Sequence, residues 1–372
     1  MAIALLQSAK SGEPFHLQLK KYFSQHKKFG SKDRKTIAKL CYYFFRTGHL
    51  FSRQPTADNL HAAVFLCENK TSPFLAFLAP SLDESIHLSI EEKLAILGLE
   101  GKNIFPFTDA LSPEINPENF ALSFLSQPHL YLRSRPGKHE MVMSALQSQG
   151  VDTIVEGNCI QLNNAIDLSK VNGLNKNFVI QDKQSQKVFS NLPIKNIKTV
   201  WDCCAASGGK SILLVDSLKE KILLSISDIR KNILENAKER LATAGIPIYN
   251  ADIIDLTKPA SIDTARKYDL IICDVPCTGA GTWSRTPEQL YFFNKRHIAN
   301  YAERQQKIVK NVIQCLDEEG LLVYITCSVF EAENEAIVKS ICQNNITLLS
   351  QHYYSGYMDE ADTLHVAIMR KQ

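Results

Sequence analysis

Short apolar runs and amphipathic stretches alternate along the chain from about residue 179 to residue 345, and this rhythm restricts the possible folds more than any other feature. The apolar runs, which we predict to be strands, occupy residues 199–201, 222–226, 268–273 and 321–325. The amphipathic stretches, which we predict to be helices, occupy residues 208–218, 231–244, 298–316 and 333–342. Alternation of this kind is typical of an α/β domain with a doubly wound, mostly parallel sheet. Ligands of such sheets bind at the carboxyl ends of the strands, so residues directly after each strand are candidates for a functional site.

The first hundred residues have a helical pattern instead. Ile37, Leu40, Cys41 and Phe44 follow the i, i+3, i+4, i+7 spacing of one buried helix face. Residues 1–50 carry ten Lys and Arg against two acidic residues, a net charge of +8 in a chain whose total is +3. Such a basic stretch is either a solvated helix face or a surface that contacts the phosphates of a nucleic acid.

A second change of pattern follows at Pro113 and Pro117, which interrupt the helical texture. Beyond them, residues 129–133 and 160–162 have the alternation of strands, with a predicted helix at 137–149 between them. We therefore predict three domains: a helical domain at 1–110, a small α/β module at 111–178 and the larger α/β domain at 179–372.

Composition bounds the setting of the protein. No apolar run approaches the roughly 18 residues that span a bilayer, and the apolar start at residues 1–6 has no basic leader, so we expect a helix there rather than a signal peptide. The ten cysteines contain no Cys-x-x-Cys pair, so we expect free thiols and no zinc site. We expect a cytoplasmic monomer without a metal or a membrane partner.

The segment after the first predicted strand of the large domain is Asp202-Cys203-Cys204-Ala205-Ala206-Ser207-Gly208-Gly209-Lys210. Small residues at a helix N-terminus let a ligand approach free backbone amides. A phosphate-binding P-loop would need a glycine at Cys204, and the dinucleotide pattern Gly-x-Gly-x-x-Gly is absent. An adenosyl cofactor without a pyrophosphate needs neither pattern. That cofactor and a plain strand–helix turn are the two remaining interpretations.

Acidic residues recur at the later strand ends. Asp228 lies about 20 residues beyond the glycines, where a carboxylate can accept hydrogen bonds from both ribose hydroxyls of a nucleoside. Asp252, in the run Asn250-Ala251-Asp252 that we expect to follow a strand, could meet an adenine amino group. Either acid alone could be a helix cap, but their recurrence favours cofactor binding.

Two cysteines follow strongly apolar strands. Cys277 lies in Asp274-Val275-Pro276-Cys277-Thr278-Gly279, and Cys327 lies in Thr326-Cys327-Ser328. We expect both to project into one cleft despite their separation in the sequence. A lone cysteine after a strand is usually packing, whereas this pair indicates thiol chemistry.

These segments resemble the Sun/Fmu (nucleolar-protein) family of RNA cytosine-C5 methyltransferases, whose marks are Asp-x-Cys-Ala-Ala-Pro-Gly-Gly-Lys, Asp-x-Pro-Cys-Ser/Thr and Thr-Cys-Ser. Residues 181–186 and 285–288 also resemble family motifs, and residues 130–133 resemble its small RNA-binding module. Residues 33–46 resemble the antitermination-factor-like helical domain of bacterial rRNA members. Two segments depart from the pattern: Ser207 replaces a proline, and Ala361–Ala367 replaces the more usual Asp-Gly-Phe-Phe-x-Ala.

The resemblance implies a Rossmann-like, S-adenosylmethionine-dependent methyltransferase domain that acts on RNA. Its cofactor site would be formed by Cys204, Ala205, Ala206, Ser207, Gly208, Gly209, Lys210, Asp228, Asp252 and Asp274. It assigns the nucleophile that adds to carbon 6 of cytosine to Cys327, the release of the product to Cys277, and contact with the ring around N3 to Asp274. Because DNA cytosine methyltransferases use the cysteine of their Pro-Cys motif, the residues alone leave Cys277 as a second candidate nucleophile.

The nature of the RNA stays open at this point. The helical N-terminal region favours small-subunit rRNA over tRNA as the substrate. The alternative from another class is a non-catalytic RNA-binding factor of ribosome assembly, although such a protein is expected to have lost a cysteine or a cofactor acid. A nucleoside triphosphatase is disfavoured by Cys204.

Overall fold

The computed structural model describes residues 1–51, 55–164, 166, 168, 176–218, 220–343 and 345–372. Its contacts divide the chain into two units. The first contains Met1–Pro128 and Thr282–Lys295, and the second contains His129–Gly281 and Arg296–Gln372. The three-domain division with boundaries near 110 and 178 stays a prediction.

The first unit is helical, as its apolar spacing predicts. Its helices are α1 (Ala2–Ser8), α2 (Phe15–Gln25), α3 (Ser31–Arg46), α4 (Ala57–Cys67), α5 (Pro73–Leu78), α6 (Pro80–Glu84), α7 (Ile90–Leu97), α8 (Pro117–Ser123) and, from the later segment, α12 (Glu288–Phe292). Ile37, Cys41 and Phe44 of α3 are buried, so the predicted face of this helix is the one that packs. Lys35 and Lys39 on its other side are exposed, and the Lys39 ammonium pairs with the carboxylate of Glu68.

Residues 282–295 complete the core of the helical unit, although they lie far along the chain. Trp283, Leu290 and Phe293 are nearly or fully buried there. The ring of Tyr291 packs against Phe45 with 5.4 Å between centroids. Arg46 holds the segment in place, since its Nη1 donates to the carbonyl of Ser284 at 2.9 Å. The helical unit therefore depends on a stretch that begins only a few residues after Cys277.

The second unit begins with a four-stranded antiparallel sheet. Its elements are β1 (Leu130–Ser134), α9 (His139–Gln147), β2 (Thr153–Glu156), β3 (Cys159–Leu162) and β4 (Phe178–Ile180), with the strand order β2-β3-β1-β4. Val142 and Leu146 of α9 pack on Leu132, Ile160 and Leu162 of the sheet. This is the small α/β arrangement that the sequence predicts.

The rest of the second unit is built on a seven-stranded sheet. Its strands are β5 (Thr199–Asp202), β6 (Leu223–Asp228), β7 (Asn250–Ile253), β8 (Tyr268–Asp274), β9 (Leu316–Thr326), β10 (Ile346–Ser355) and β11 (Thr363–Lys371), in the order β10-β11-β9-β8-β5-β6-β7. The pairs from β9 to β7 are parallel, and β11 pairs antiparallel with β9 and β10. The predicted α/β class with a mostly parallel sheet is confirmed.

Helices cover both faces of this sheet. They are α10 (Gly209–Ser217), α11 (Lys231–Thr243), α13 (Arg296–Val312) and α14 (Glu335–Ile341). Apolar residues of α10 and α11 join one core, and those of α13 and α14 join another. Because β5, β6, β8 and β9 are parallel, Asp202, Asp228, Asp274 and Thr326 end their strands at the same edge. In the described part of the chain, no helix is both long and apolar enough to cross a membrane.

Candidate active site

The loop between β5 and α10 has the backbone that a small-residue sequence permits. Gly208 adopts φ = 76° directly before α10, a left-handed conformation that costs glycine little. Ala206 adopts φ = 46°, which is uncommon for a residue with a Cβ. Its amide donates to Oδ2 of Asp228 at 3.2 Å, and the amide of Ala205 donates to the carbonyl of Ser227 at 2.9 Å. The predicted cofactor loop is thus tied to the end of β6, where the predicted ribose ligand lies.

Asp228 is a buried carboxylate whose oxygens accept hydrogen bonds from neighbouring residues. Arg230 donates to Oδ1 through its backbone amide at 2.9 Å and through Nε at 3.0 Å. Burial favours the neutral acid, but the hydrogen bonds from Arg230 hold the pKa of Asp228 below its usual value. The Arg230 side chain is 57% exposed, so it can turn into solvent and leave the carboxylate to a ligand.

The structure places Asp252 differently from the sequence-based expectation. Asn250–Ile253 is itself the strand β7, so Asp252 lies within a strand rather than after one. Its side chain is 46% exposed and accepts a hydrogen bond from Nη1 of Arg266 at 3.1 Å. The proposed contact of Asp252 with adenine stays a prediction.

Lys210 and Asp274 join the cofactor loop to the end of β8. The Lys210 ammonium donates to Oδ2 of Asp274 at 2.5 Å, and both side chains are largely buried. Burial alone would lower the pKa of Lys210, but the charges of Asp274 and Cys327 raise it above its usual value. A permanent positive charge therefore lies beside both Asp274 and the Cys327 sulfur.

Cys277 and Cys327 are neighbours, as the strand ends predict. A hydrogen bond between the two side chains, together with burial and the nearby charges of Cys327 and Glu333, raises the pKa of Cys277 well above that of a free thiol. Cys277 is accordingly a thiol at neutral pH. The Cys327 loop is fixed by the Gly281 amide, which donates to the Cys327 carbonyl at 2.8 Å.

Sequence reasoning did not single out Asp202 as a site residue. Asp202 is 1% exposed at the end of β5, and Ser211 donates to its Oδ2 at 2.6 Å. Its Oδ1 has no hydrogen-bond partner among the described residues, and burial raises its pKa to about 7. Its position at the start of the small-residue loop was visible in the sequence. Its burial was not, because that depends on the packing of the whole sheet. Among the described residues, no group of three or more His, Cys, Asp and Glu side chains could hold a metal ion.

Comparisons with known proteins agree with this geometry. Residues 190–362 match the family model described as 16S rRNA methyltransferase RsmB/F. The probable ribosomal RNA small subunit methyltransferase B of Bacillus subtilis (strain 168) is 31% identical over 166 residues, which cover 45% of this chain and 37% of that protein. The tRNA (cytosine(34)-C(5))-methyltransferase of Drosophila melanogaster is 31% identical over 169 residues, covering 41% of this chain and 23% of that protein. The match spans less than half the length of either relative.

A solved structure extends the likeness to the fold. A methyltransferase homolog protein from Pyrococcus horikoshii superposes with a TM-score of 0.61 at 20% identity, covering 77% of this chain and 100% of that one. At this identity the similarity concerns the fold alone. The resemblance drawn from the motifs is confirmed in that residues 190–362 match the RsmB/F family model and the chain has a Rossmann-like α/β fold.

Proposed function

We propose that this protein transfers a methyl group from S-adenosylmethionine to carbon 5 of a cytosine in RNA, through a covalent bond between Cys327 and carbon 6 of the base. The observation that carries this proposal is the meeting of Cys277 and Cys327 beside Lys210 and Asp274. Carbon 5 of cytosine is a poor nucleophile, and addition of a thiolate to carbon 6 makes it reactive.

The residues of the loop fit an adenosyl cofactor that carries positive charge and no phosphate. The charges of Asp228 and Asp274 act on Asp202, so carboxyl groups from three strand ends lie near one another. Carboxylates at such strand ends can accept hydrogen bonds from the hydroxyl groups of a nucleoside. Asp202 Oδ1 is an acceptor without a partner among the described residues, which a ligand could supply. The residues that would hold S-adenosylmethionine are the loop from Cys204 to Lys210 with Asp228, Asp252 and Asp274, and when bound it supplies the methyl group.

The electrostatic surroundings favour Cys327 as the nucleophile. Attack requires a thiolate, and a neighbouring cation stabilises that form. The Lys210 ammonium lies near Cys327 and interacts with it electrostatically. Cys277 instead faces the carboxylate of Glu333 and stays protonated. Asp274, held by Lys210, would accept a hydrogen bond from N3 once N3 is protonated, and so would favour the protonation that offsets the negative charge developing there when the thiolate adds.

Cys277 suits the release step. After methyl transfer, carbon 5 carries both a methyl group and a proton, and carbon 6 is bonded to the Cys327 sulfur. As the carbon–sulfur bond breaks, the Cys277 thiol gives its proton to Cys327 and takes up the proton of carbon 5, whose bonding pair restores the ring double bond. Both cysteines end as thiols. The hydrogen bond between them provides the path for this exchange.

We propose small-subunit rRNA as the substrate, because the basic helices of residues 1–50 can contact phosphate and because the Bacillus subtilis relative is described as an rRNA enzyme. The alternative of a tRNA substrate is supported by the Drosophila relative. Bisulfite mapping of total RNA from cells with and without the gene separates these outcomes. If no cytosine changes, the proposed methylation is refuted, and the alternative of a non-catalytic RNA-binding factor is favoured.

The order of the cysteines is tested by trapping. Cys327→Ala should neither methylate RNA nor form an adduct that survives a denaturing gel. In the Cys277→Ala variant, Cys327 should still add to the base and carbon 5 should still be methylated. Release should then stall, so the adduct accumulates. Cofactor binding by both variants is the control for folding. An adduct formed by the Cys327 variant and absent from the Cys277 variant would reverse the assignment.

A further inference from the structure

Glu333 is a buried carboxylate that connects the loops of the two cysteines. The side chain has no exposed surface and lies in a short turn, Glu331–Glu333, after β9. Its Oε2 accepts hydrogen bonds from Oγ1 of Thr278 at 2.6 Å and from Oγ of Ser328 at 2.5 Å. Thr278 follows Cys277 directly, and Ser328 follows Cys327 directly. One carboxylate group therefore links the two residues that directly follow the cysteines.

The other oxygen strengthens the hold on the Cys277 side. Oε1 of Glu333 accepts the Thr278 backbone amide at 2.9 Å and Nε2 of Gln305 at 3.0 Å. The same Gln305 nitrogen also donates to the carbonyl of Pro276 at 3.0 Å. A buried carboxylate is tolerated only when its oxygens are satisfied, and these four donors satisfy Glu333. Glu333 thus binds Thr278 twice and, through Gln305, is linked to Pro276.

The Cys327 loop has several anchors that do not involve Glu333. Oγ1 of Thr326 donates to Oδ1 of Asn334 at 2.5 Å, and Nδ2 of Asn334 donates to the Ser328 carbonyl at 3.0 Å. The Gly281 amide holds the Cys327 carbonyl. Removal of the Glu333 carboxylate is therefore expected to loosen Cys277 far more than Cys327.

We propose that Glu333 is a positioning residue that holds Cys277 against Cys327 for the release of the methylated product. This inference rests on the proposed function, in which Cys277 acts after methyl transfer. Glu333 is enclosed by protein, so it acts through Thr278 and Gln305 and not by touching RNA or cofactor. Its negative charge also contributes to keeping Cys277 protonated, the form that gives a proton to the departing Cys327.

The test compares full-length Glu333→Ala with Glu331→Ala, which removes an exposed carboxylate from the same turn. We measure methyl transfer in a single turnover, steady-state turnover and the amount of adduct that survives denaturation. Glu333→Ala should transfer the first methyl group within about threefold of the wild-type rate, turn over at least tenfold more slowly and accumulate adduct. Glu331→Ala should behave as wild type. Glu333→Gln should restore part of the turnover, because its amide can still bond the Thr278 and Ser328 groups.

If Glu333→Ala does not fold, Thr278→Val tests the same inference. This substitution removes the hydrogen bond from Oγ1 of residue 278 to Glu333 and retains the one from the backbone amide. It should accumulate adduct in the same way, with cofactor binding unchanged. The inference is overturned if folded Glu333 and Thr278 variants turn over as wild type, or if they lose methyl transfer and adduct together. A wild-type protein that methylates no RNA, with no adduct in Cys277→Ala, refutes the proposed function itself.

Discussion

Gly281 is the position where a single added methyl group should do most damage to the site. An ideal Cβ on Gly281 would lie 2.1 Å from the carbonyl oxygen of Thr363, 2.9 Å from its carbonyl carbon and 3.0 Å from the carbonyl oxygen of Cys327. All three are backbone atoms, so no side chain can turn aside to make room. Either β11, which begins at Thr363, or the Cys327 loop has to move.

The expected cost of Gly281→Ala follows from these distances. Overpacking a dense interior typically costs about 1–3 kcal/mol. Contacts far below 3.0 Å with immobile atoms place Gly281 at the upper end, so we expect a loss near 3 kcal/mol, about a hundredfold in the unfolding equilibrium. The shift would also displace the Cys327 carbonyl, so adduct formation should slow even in the folded protein.

Urea unfolding and adduct formation measure the two effects separately. Gly30→Ala is the matched control, because its nearest contact would be Oδ2 of Asp33 at an ordinary 3.6 Å and its φ is −68°. The control should stay within about 0.5 kcal/mol of wild type. Equal urea midpoints and equal adduct rates for Gly281→Ala and wild type would refute the packing argument.

Four further predictions address the cofactor, pH and RNA. Asp228→Ala should weaken binding of S-adenosylmethionine at least tenfold by isothermal titration, whereas tight binding of NAD or ATP without S-adenosylmethionine would contradict the cofactor assignment. Burial lowers the pKa of His365 to about 3, so the folded protein should lose stability as pH falls from about 6.5 towards 3; His365→Phe should reduce that loss in urea titrations. The pKa of Asp202 is raised by burial to about 7, so its contribution has the opposite sign: stability falls as pH rises from about 4 to 7, and Asp202→Asn should flatten this fall. Replacing the exposed Lys20 and Lys35 with Gln should lower RNA affinity and reduce the logarithmic salt slope by about one for each phosphate that the protein no longer neutralises, and an unchanged slope would exclude both lysines from the interface.

The strands of the large sheet could be predicted because each is a continuous apolar run with a clear end. The run at 268–273 became β8 (Tyr268–Asp274), and the run at 199–201 became β5 (Thr199–Asp202). Buried parallel strands have this pattern on both faces, so local sequence is enough to find them. The hairpin of β10 and β11 was not predicted, since β10 is partly exposed and mixes polar with apolar residues without strict alternation.

The segment 282–295 shows what local pattern cannot reveal. Aromatic residues can pack in the core of either unit, and the spacing of those in this segment does not indicate which one. The structure shows that they complete the core of the helical unit. Burying Trp283, Leu290, Tyr291 and Phe293 contributes about 1.5–3 kcal/mol for each side chain. A chain shortened to begin at residue 179 would lose that packing. Charge substitutions in the full chain are therefore the better test of RNA binding.

The roles proposed for the two cysteines depend on charged residues that lie far from at least one of them in the sequence. Both thiols follow apolar strands and both stand beside hydroxyl side chains, so their immediate sequence does not separate a nucleophile from a proton carrier. The fold brings Lys210 to Cys327 and Glu333 to Cys277. The carboxylate of Glu333 favours the protonated form of Cys277, which gives up its proton later, whereas Cys327 lies near an ammonium group. Two identical thiol groups are thus proposed to have different roles because different charged side chains lie near them. Replacing either cysteine with serine would leave Lys210 and Glu333 in place, so each substitution tests the role of the thiol itself.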